Sequence, residues 1–319
     1  MATAKKKKKR RSQAPVALVY FITIIIFMAL LLMLSIYLLK YFHIIQNETD
    51  EEQVVSNHTY NDLLGRINSK NVLTEMTLIR IDPENESMIV VPIPSWTVLK
   101  GDSSRTLRDV YESEGMDGVA RNVEKTYGIT IDNYIGMSNE AFERVADVCG
   151  GMTYTSTEEL YYLSQENDEN DISIAKGELV NLSGRQIRLL TQYPVFASGK
   201  QGNVEFLGEA VEALINNAFQ QPKIITDNLD NIYNIMTSNS DTDFSQDEWK
   251  LQKSYLKTML ASGIVPATRM IPVGVWSDSE RFTVSDTFVE ELKKAMSEPV
   301  VKEETPVSEG SEGTESPAA

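Results

Sequence analysis

The sequence predicts an α/β protein: a layered α-β-α domain with a mixed central sheet, preceded by one transmembrane helix. Three observations carry that reading. Residues 14–39 form a charge-free, mostly apolar run directly behind the basic cluster KKKKKRR at 5–11. Residues 76–93 hold two β-rich runs divided by Asp82-Pro83-Glu84-Asn85, the pattern of an antiparallel hairpin. Between residues 116 and 155, helical and strand periodicities alternate at the spacing of helices laid over a sheet.

A helix needs about 20 apolar residues to cross the hydrocarbon core. The run at 14–39 exceeds that, and only Pro15, Thr23 and Ser35 interrupt its apolar or aromatic character. A buried soluble helix of this length would show a polar face. A cleaved signal peptide has an apolar region of about 7–15 residues before a small-residue cleavage site, whereas this run leads into YLLKYFHII. Tyr20, Tyr37, Tyr41 and Phe42 suit the two interfaces. Basic residues stay on the cytoplasmic side, so the expected order has five parts. A cytoplasmic basic tail spans 1–13, the membrane helix 14–39 and an extracytoplasmic stalk 40–59. The domain follows at 60–292, and 297–319 is a disordered acidic tail. The expected location is the cell membrane, with the lipid bilayer as partner of residues 14–39.

The net charge of -16 conceals this polarity. Eight of the 30 Lys and Arg precede residue 41, whereas all 46 Asp and Glu follow it, so the remainder carries 22 against 46. An acidic body disfavours nucleic acid as a partner. The single cysteine, Cys149, excludes an internal disulfide and reads as a small buried residue. The two histidines, His43 and His58, lie in the stalk, which argues against a Ser-His-Asp or Cys-His site and against histidine-rich zinc. No GxxxxGK[ST] or GxGxxG loop is present.

Within the domain, Val119, Val123 and Tyr127 mark a helix over 116–127, stopped by Gly128. ITIDNYIGM reads as a strand, and Ser138 caps a helix with Phe142, Val145 and Val148 on one face, ended by Gly150-Gly151. Glu166, Asp168, Glu169 and Asp171 cluster in QENDENDIS, which lacks the glycine and spacing of a calcium loop and reads as a solvated acidic loop. Amphipathic helices follow at 206–219, 228–239 and 245–260, the last opened by a Ser245-Glu248 capping box. A strand pair at 270–276 and 282–284 precedes a final helix at 286–296.

The stretch VARNVEKTYGITIDNYIGMSNEAFERVADVCGGM, with Gly128, Tyr134, Phe142 and Asp147 before Gly150-Gly151, resembles the LytR-CpsA-Psr family. The LSGRQ segment at 182–186, the basic run and the single apolar segment fit that resemblance. It implies a pocket between helices and sheet that holds a polyprenyl pyrophosphate, with arginines on the pyrophosphate and acidic residues on magnesium. The implied reaction moves a glycopolymer onto peptidoglycan. Guanidinium forks and a divalent ion would stabilise the charge that phosphoryl transfer spreads over several oxygens.

The sequence departs from the family at those positions. Glu75-Met76 stands for an Asp-Thr, Pro94-Ser95-Trp96 for a Pro-Arg-Asp, and Gln192-Tyr193-Pro194 for a pair of arginines. The candidates left for catalysis are Glu75, Arg80 and Arg108. Those for substrate binding are Arg105, Arg108, Arg185 and Arg188, and Glu75 is the candidate metal ligand. Two functions follow. One is a cell-envelope protein that binds a polyprenyl-linked glycan, a wall component or an envelope partner without the family's usual catalysis and without a cofactor. The other is an active, magnesium-dependent transferase.

Overall fold

The hairpin at the centre of the sheet is built as its residues dictate. In the computed structural model, β2 (Leu73–Asp82) and β3 (Ser87–Pro94) run antiparallel from Asp82↔Ser87 to Glu75↔Pro94. Asp82 closes the turn by accepting from the Asn85 backbone at 3.1 Å. All eight residues of β3 are buried. Its side chains alternate between two cores, Met88 and Val90 in one, Ile89, Val91 and Ile93 in the other. A continuous apolar run is what a strand covered on both faces requires.

The structure describes residues 59–165, 170–277 and 280–297, together with Met28, Leu31 and Leu34, which are helical and exposed. The rest of the apolar run, the basic tail, most of the stalk, Glu166, Asp168, Glu169 and the acidic tail from 298 lie outside the described residues. Among the described residues no helix is long and apolar enough to cross a membrane. The chain divides into two units, Met1–Val55 and Ser56–Ala319.

In the second unit, β2 pairs with β1 (Tyr60–Ile67), which pairs in parallel with β6 (Asn133–Ser138). The short strands β11 (Asp241–Thr242) and β12 (Ala267–Arg269) complete a six-stranded sheet of order β11-β6-β1-β2-β3-β12. Both parallel and antiparallel neighbours occur, so the sheet is mixed, as expected. Between these strands lie β4 (Val98–Leu99), β5 (Asp102–Thr106), β7 (Met152–Thr155), β8 (Leu160–Tyr162), β9 (Ile172–Ile174) and β10 (Leu179–Leu182), with β13 (Gly274–Trp276) and β14 (Phe282–Val284) near the end.

One core lies against α1 (Leu107–Tyr127) and α7 (Asp286–Ser297), which contribute Val119, Val123, Phe288 and Leu292. The other lies against α2 (Asn139–Val148), α3 (Gly184–Thr191), α4 (Lys200–Phe219), α5 (Pro222–Thr237) and α6 (Gln246–Ala261). Helices on both faces make the α-β-α layering. Ser138 caps α2 and Ser245 forms its capping box with Glu248 on α6. Cys149 is buried, and burial pushes its thiol up to about 12, which makes it inert rather than nucleophilic.

The helix expected from residue 116 starts earlier, at Leu107, and breaks at Gly115 (φ 67, ψ -165). The Thr106–Asp109 capping box starts the first half, which buries Leu107, Val110 and Tyr111. At the break, Asp241 Oδ2 accepts the Met116 backbone N–H at 2.7 Å and replaces the bond that the helix loses. A Cβ on residue 115 would lie 2.8 Å from that same oxygen. Glycine is required there on both counts.

Asp62, in the middle of the sheet, is buried and accepts from Asn133 Nδ2 at 2.8 Å and Gln252 Nε2 at 3.0 Å. Burial raises it to about 7, assisted by the charges of Asp132 and Asp243 and opposed by the two amides. The folded state therefore holds a proton that the unfolded state gives up near the ordinary carboxylate value. This contribution to stability is fully present below about pH 4 and is lost as pH rises towards 7, with a slope of at most about 1.4 kcal/mol per pH unit. Denaturation midpoints measured across that range should show the difference between wild type and Asp62→Asn changing between pH 4 and 7 and flat above it. A constant difference would remove Asp62 from the titration.

Candidate functional site

A cleft of about 270 Å³ opens where the sheet ends against α3 and α4. Thr74 and Glu75 come from β2, and Pro92, Ile93 and Pro94 from the end of β3. Ser95 and Trp96 follow, Arg108 enters from the first turn of α1, and Thr191 and Gln192 close α3. Lys200, Asn203, Val204 and Leu207 are supplied by α4, and Trp276 by β13. Strand ends and helix ends meet here, as is usual for sites in layered α/β folds.

The base of the cleft is set by strand register. Arg66 on β1 lies directly opposite Glu75 on β2, which lies opposite Pro94 on β3. Cross-strand partners point to the same face, so the guanidinium and the carboxylate meet and form an ion pair. Arg66 is only 4% exposed. Its Nη2 donates to Thr191 Oγ1 at 2.7 Å, and its guanidinium lies 5.0 Å from the centre of the Phe142 ring. Its Nε and Nη1 have no hydrogen-bond partner among the described residues. Burial, then the nearby Arg188 charge, pushes Arg66 down from its usual value, but an arginine remains cationic there. Thr74 Oγ1 lies 3.0 Å from Glu75 Oε2, so the carboxylate is engaged from two sides.

At the mouth, the Arg108 guanidinium lies 4.5 Å from the centre of the Trp96 ring, a cation–π contact. The Arg108 backbone N–H donates to Ser95 O at 2.8 Å and fixes the turn that carries Trp96. Lys200 Nζ is 3.4 Å from Glu280. Beyond Glu75 and Leu207 an apolar seam of about 40 Å³ continues between Leu64, Met137, Phe142 and Val211. It would have to widen to admit an isoprenoid unit.

The sequence candidates divide cleanly by position. Glu75 and Arg108 line the cleft. Arg80 does not: it is buried towards α7, where it donates to Met296 O and lies 4.0 Å from Asp82. Arg105 pairs at the surface with Ser113 and Glu114. Arg185 and Arg188 share α3 yet have separate partners, Asn170 and Glu143. None of these four is among the cleft's lining residues. The sequence candidates do not include Arg66 at the base of the cleft, nor four of its lining residues, Asn68 from the β1–β2 turn, Lys200, Asn203 and Trp276. Arg66 carried a signal, since it is a charge set in the strand-like run Leu63-Leu64-Gly65-Arg66-Ile67.

The donor set does not fit magnesium. Magnesium binds through one or two free carboxylates completed by waters and substrate phosphates. Among the described residues Glu75 is the one carboxylate lining the cleft, and Arg66 already neutralises it. Trp96 occupies the place where the resemblance implies a second acid. Among the described residues no group of three or more His, Cys, Asp and Glu is placed to hold a metal.

A layered α/β domain with a cleft at the sheet end defines the class, and comparison with known proteins defines the family. The LytR_cpsA_psr family matches residues 68–298, well over half of the chain. The chain belongs to the LytR-CpsA-Psr family. It is similar to a polyisoprenyl-teichoic acid–peptidoglycan teichoic acid transferase TagU of Oceanobacillus iheyensis, 23% identical over 182 residues covering 54% of each chain. It is also similar to the protein of the same name from Bacillus cereus, 30% identical over 137 residues, 41% of this chain and 42% of that one. The chain thus aligns with about half the length, or less, of these relatives. The crystal structure of B. subtilis TagV shares the fold, with a TM-score of 0.56 at 18% identity, covering 76% of this chain and 96% of that one.

The buried ion pair gives a direct test. Arg66→Ala leaves Glu75 without its counter-charge and should cost about 3–5 kcal/mol in chemical denaturation. Replacing both partners, as Arg66→Met with Glu75→Leu, should recover most of that loss. Equal destabilisation in the single and double variants would show that the pair is not coupled.

Proposed function

We propose that this protein is a single-pass membrane protein whose extracytoplasmic domain binds a polyprenyl-linked glycan or wall component at the cleft, without the family's phosphotransfer. The observation that carries the reading is the state of Glu75. This carboxylate, the one lining the cleft among the described residues, is bound to a buried arginine of the same sheet. Transfer of a glycopolymer phosphate would demand cations on the developing charge. Lys200 faces Glu280, which leaves Arg108, stacked over Trp96, as the one lining cation without an acidic partner among the described residues, fewer than a charge spread over several oxygens calls for. The basic run at 5–11 and the apolar run at 14–39 support the anchor, with the amino terminus cytoplasmic. That topology puts the domain on the side where wall polymers are joined.

The second reading is a magnesium-dependent transferase, and the names of the two relatives together with Arg108 at the cleft favour it. An assay of the full chain in detergent, with lipid-linked glycopolymer and peptidoglycan, separates the two. The expected result is retention of the labelled lipid-linked glycan by the protein, with no polymer joined to peptidoglycan in magnesium or in EDTA. Magnesium-dependent transfer lost in Arg108→Ala or Glu75→Gln would establish the transferase instead.

A further inference from the structure

Resting on the reading of the cleft as a glycan site, we infer that it recognises a sugar ring held against the indole of Trp276, next to Trp96 with its stacked Arg108, and needs no divalent cation. The two tryptophans form one assembly. Trp276 pairs with Phe282 across the β13–β14 ladder, and the Phe282 backbone N–H donates to Trp96 O at 3.0 Å. The Trp276 ring is braced by Phe282, with ring centres 4.9 Å apart, and its Nε1 donates to Gln201 Oε1 at 3.0 Å. Both indoles are partly exposed and line the cleft. The C–H face of a pyranose carries partial positive charge and suits the negative face of an indole, which also buries a large apolar area.

The neutral polar groups of the lining match hydroxyls. The Asn68 Oδ1 is occupied by the Lys70 and Val72 backbone N–H groups, which leaves its NH₂ as a donor. The Asn203 Nδ2 donates to Thr191 O and Tyr193 O, which leaves its Oδ1 as an acceptor. The exposed Gln192 side chain has no hydrogen-bond partner among the described residues and offers both kinds of group. A hydroxyl donates and accepts, whereas a phosphate oxygen chiefly accepts. Neutral amides and the Trp276 indole stand beside Glu75, which Arg66 neutralises, while Lys200 faces Glu280 and Arg108 lies over Trp96, where both offer donors to hydroxyls; the volume suits a small head group rather than a polymer.

The full chain in detergent reads this out by tryptophan emission. Two of its three tryptophans line the cleft, and the third, Trp249, is buried against Tyr233 with ring centres 5.1 Å apart. The probes are a short N-acetylhexosamine oligosaccharide, the same sugar on a polyprenyl diphosphate, sugar-free polyprenyl phosphate and inorganic pyrophosphate, each with magnesium and with EDTA. The expected result is an emission change with both sugar-bearing probes, equal in magnesium and EDTA, and about tenfold weaker affinity in Trp276→Ala. Gln192→Ala, which breaks no internal hydrogen bond among the described residues, should also weaken it while leaving the melting curve unchanged. Binding of sugar-free polyprenyl phosphate or pyrophosphate without binding of the free sugar would overturn this inference, yet leave lipid-linked glycan binding standing. Sugar affinity unaltered in both variants, or a requirement for magnesium, would overturn it as well. Failure of all four probes to bind would overturn the glycan reading of the cleft itself.

Discussion

The Arg66–Glu75 ion pair is the contact on which the cleft depends. It sits across the β1–β2 ladder at the point where the sheet stops and the cleft begins. The Arg66 charge is buried and must be matched, and the partly exposed Glu75 at the edge of the cleft supplies the match. Once Glu75 was committed to Arg66, the carboxylate ceased to be a free ligand. The same pair ties β1 to α3 through Thr191 and to α2 through the Phe142 ring. A single interaction therefore fixes the base of the cleft and determines its chemistry. Asp62, on the same strand, illustrates the other solution to burial. It has amide partners instead of a guanidinium, and burial favours its protonated form.

What could be read from the sequence followed the range of each interaction. The β2–β3 hairpin was legible because Asp82 and Pro83 signal a local turn and the apolar runs flank it directly. The caps at Ser138 and Ser245 were legible for the same reason, each bond closing over three residues. Strand β1 was harder to see, because its parallel partner β6 lies about seventy residues away: Asp62 pairs with Asn133. Its polar residues, Asn61, Asp62 and Arg66, make sense only once they are buried against distant groups. The early start of α1 was hidden by Gly115, whose break is repaired by Asp241, again far along the chain.

The cleft was legible in its losses and not in its replacements. Ser95, Trp96 and Gln192 stand where charged residues are implied, and all three do line the cleft. The replacements came from elements that no local pattern connects. Arg66 arrives through register, Asn203 and Lys200 through the packing of α4, and Trp276 through a short strand late in the chain. Counting arginines could not locate them either. Arg80, Arg105, Arg185 and Arg188 are all present, but each is used at another place.

Such a change of site chemistry leaves the fold almost untouched, because the two sources of stability are separate. The cores that hold the layers are made of Leu63, Leu78, Val90, Val91 and the helix faces over them. The cleft is lined by residues at strand ends, helix ends and a connecting turn. Changes there alter charge and shape while the buried apolar area that drives folding stays in place. The constraint is local: each charge brought into the cleft needs its own partner. Arg66 meets that condition for Glu75 and Glu280 for Lys200, and the Trp96 face receives Arg108. A cleft that keeps Arg108 as its one cation without an acidic partner among the described residues offers a highly charged ligand less than a cluster of guanidinium groups would, and it adds aromatic surface and neutral hydrogen-bonding groups.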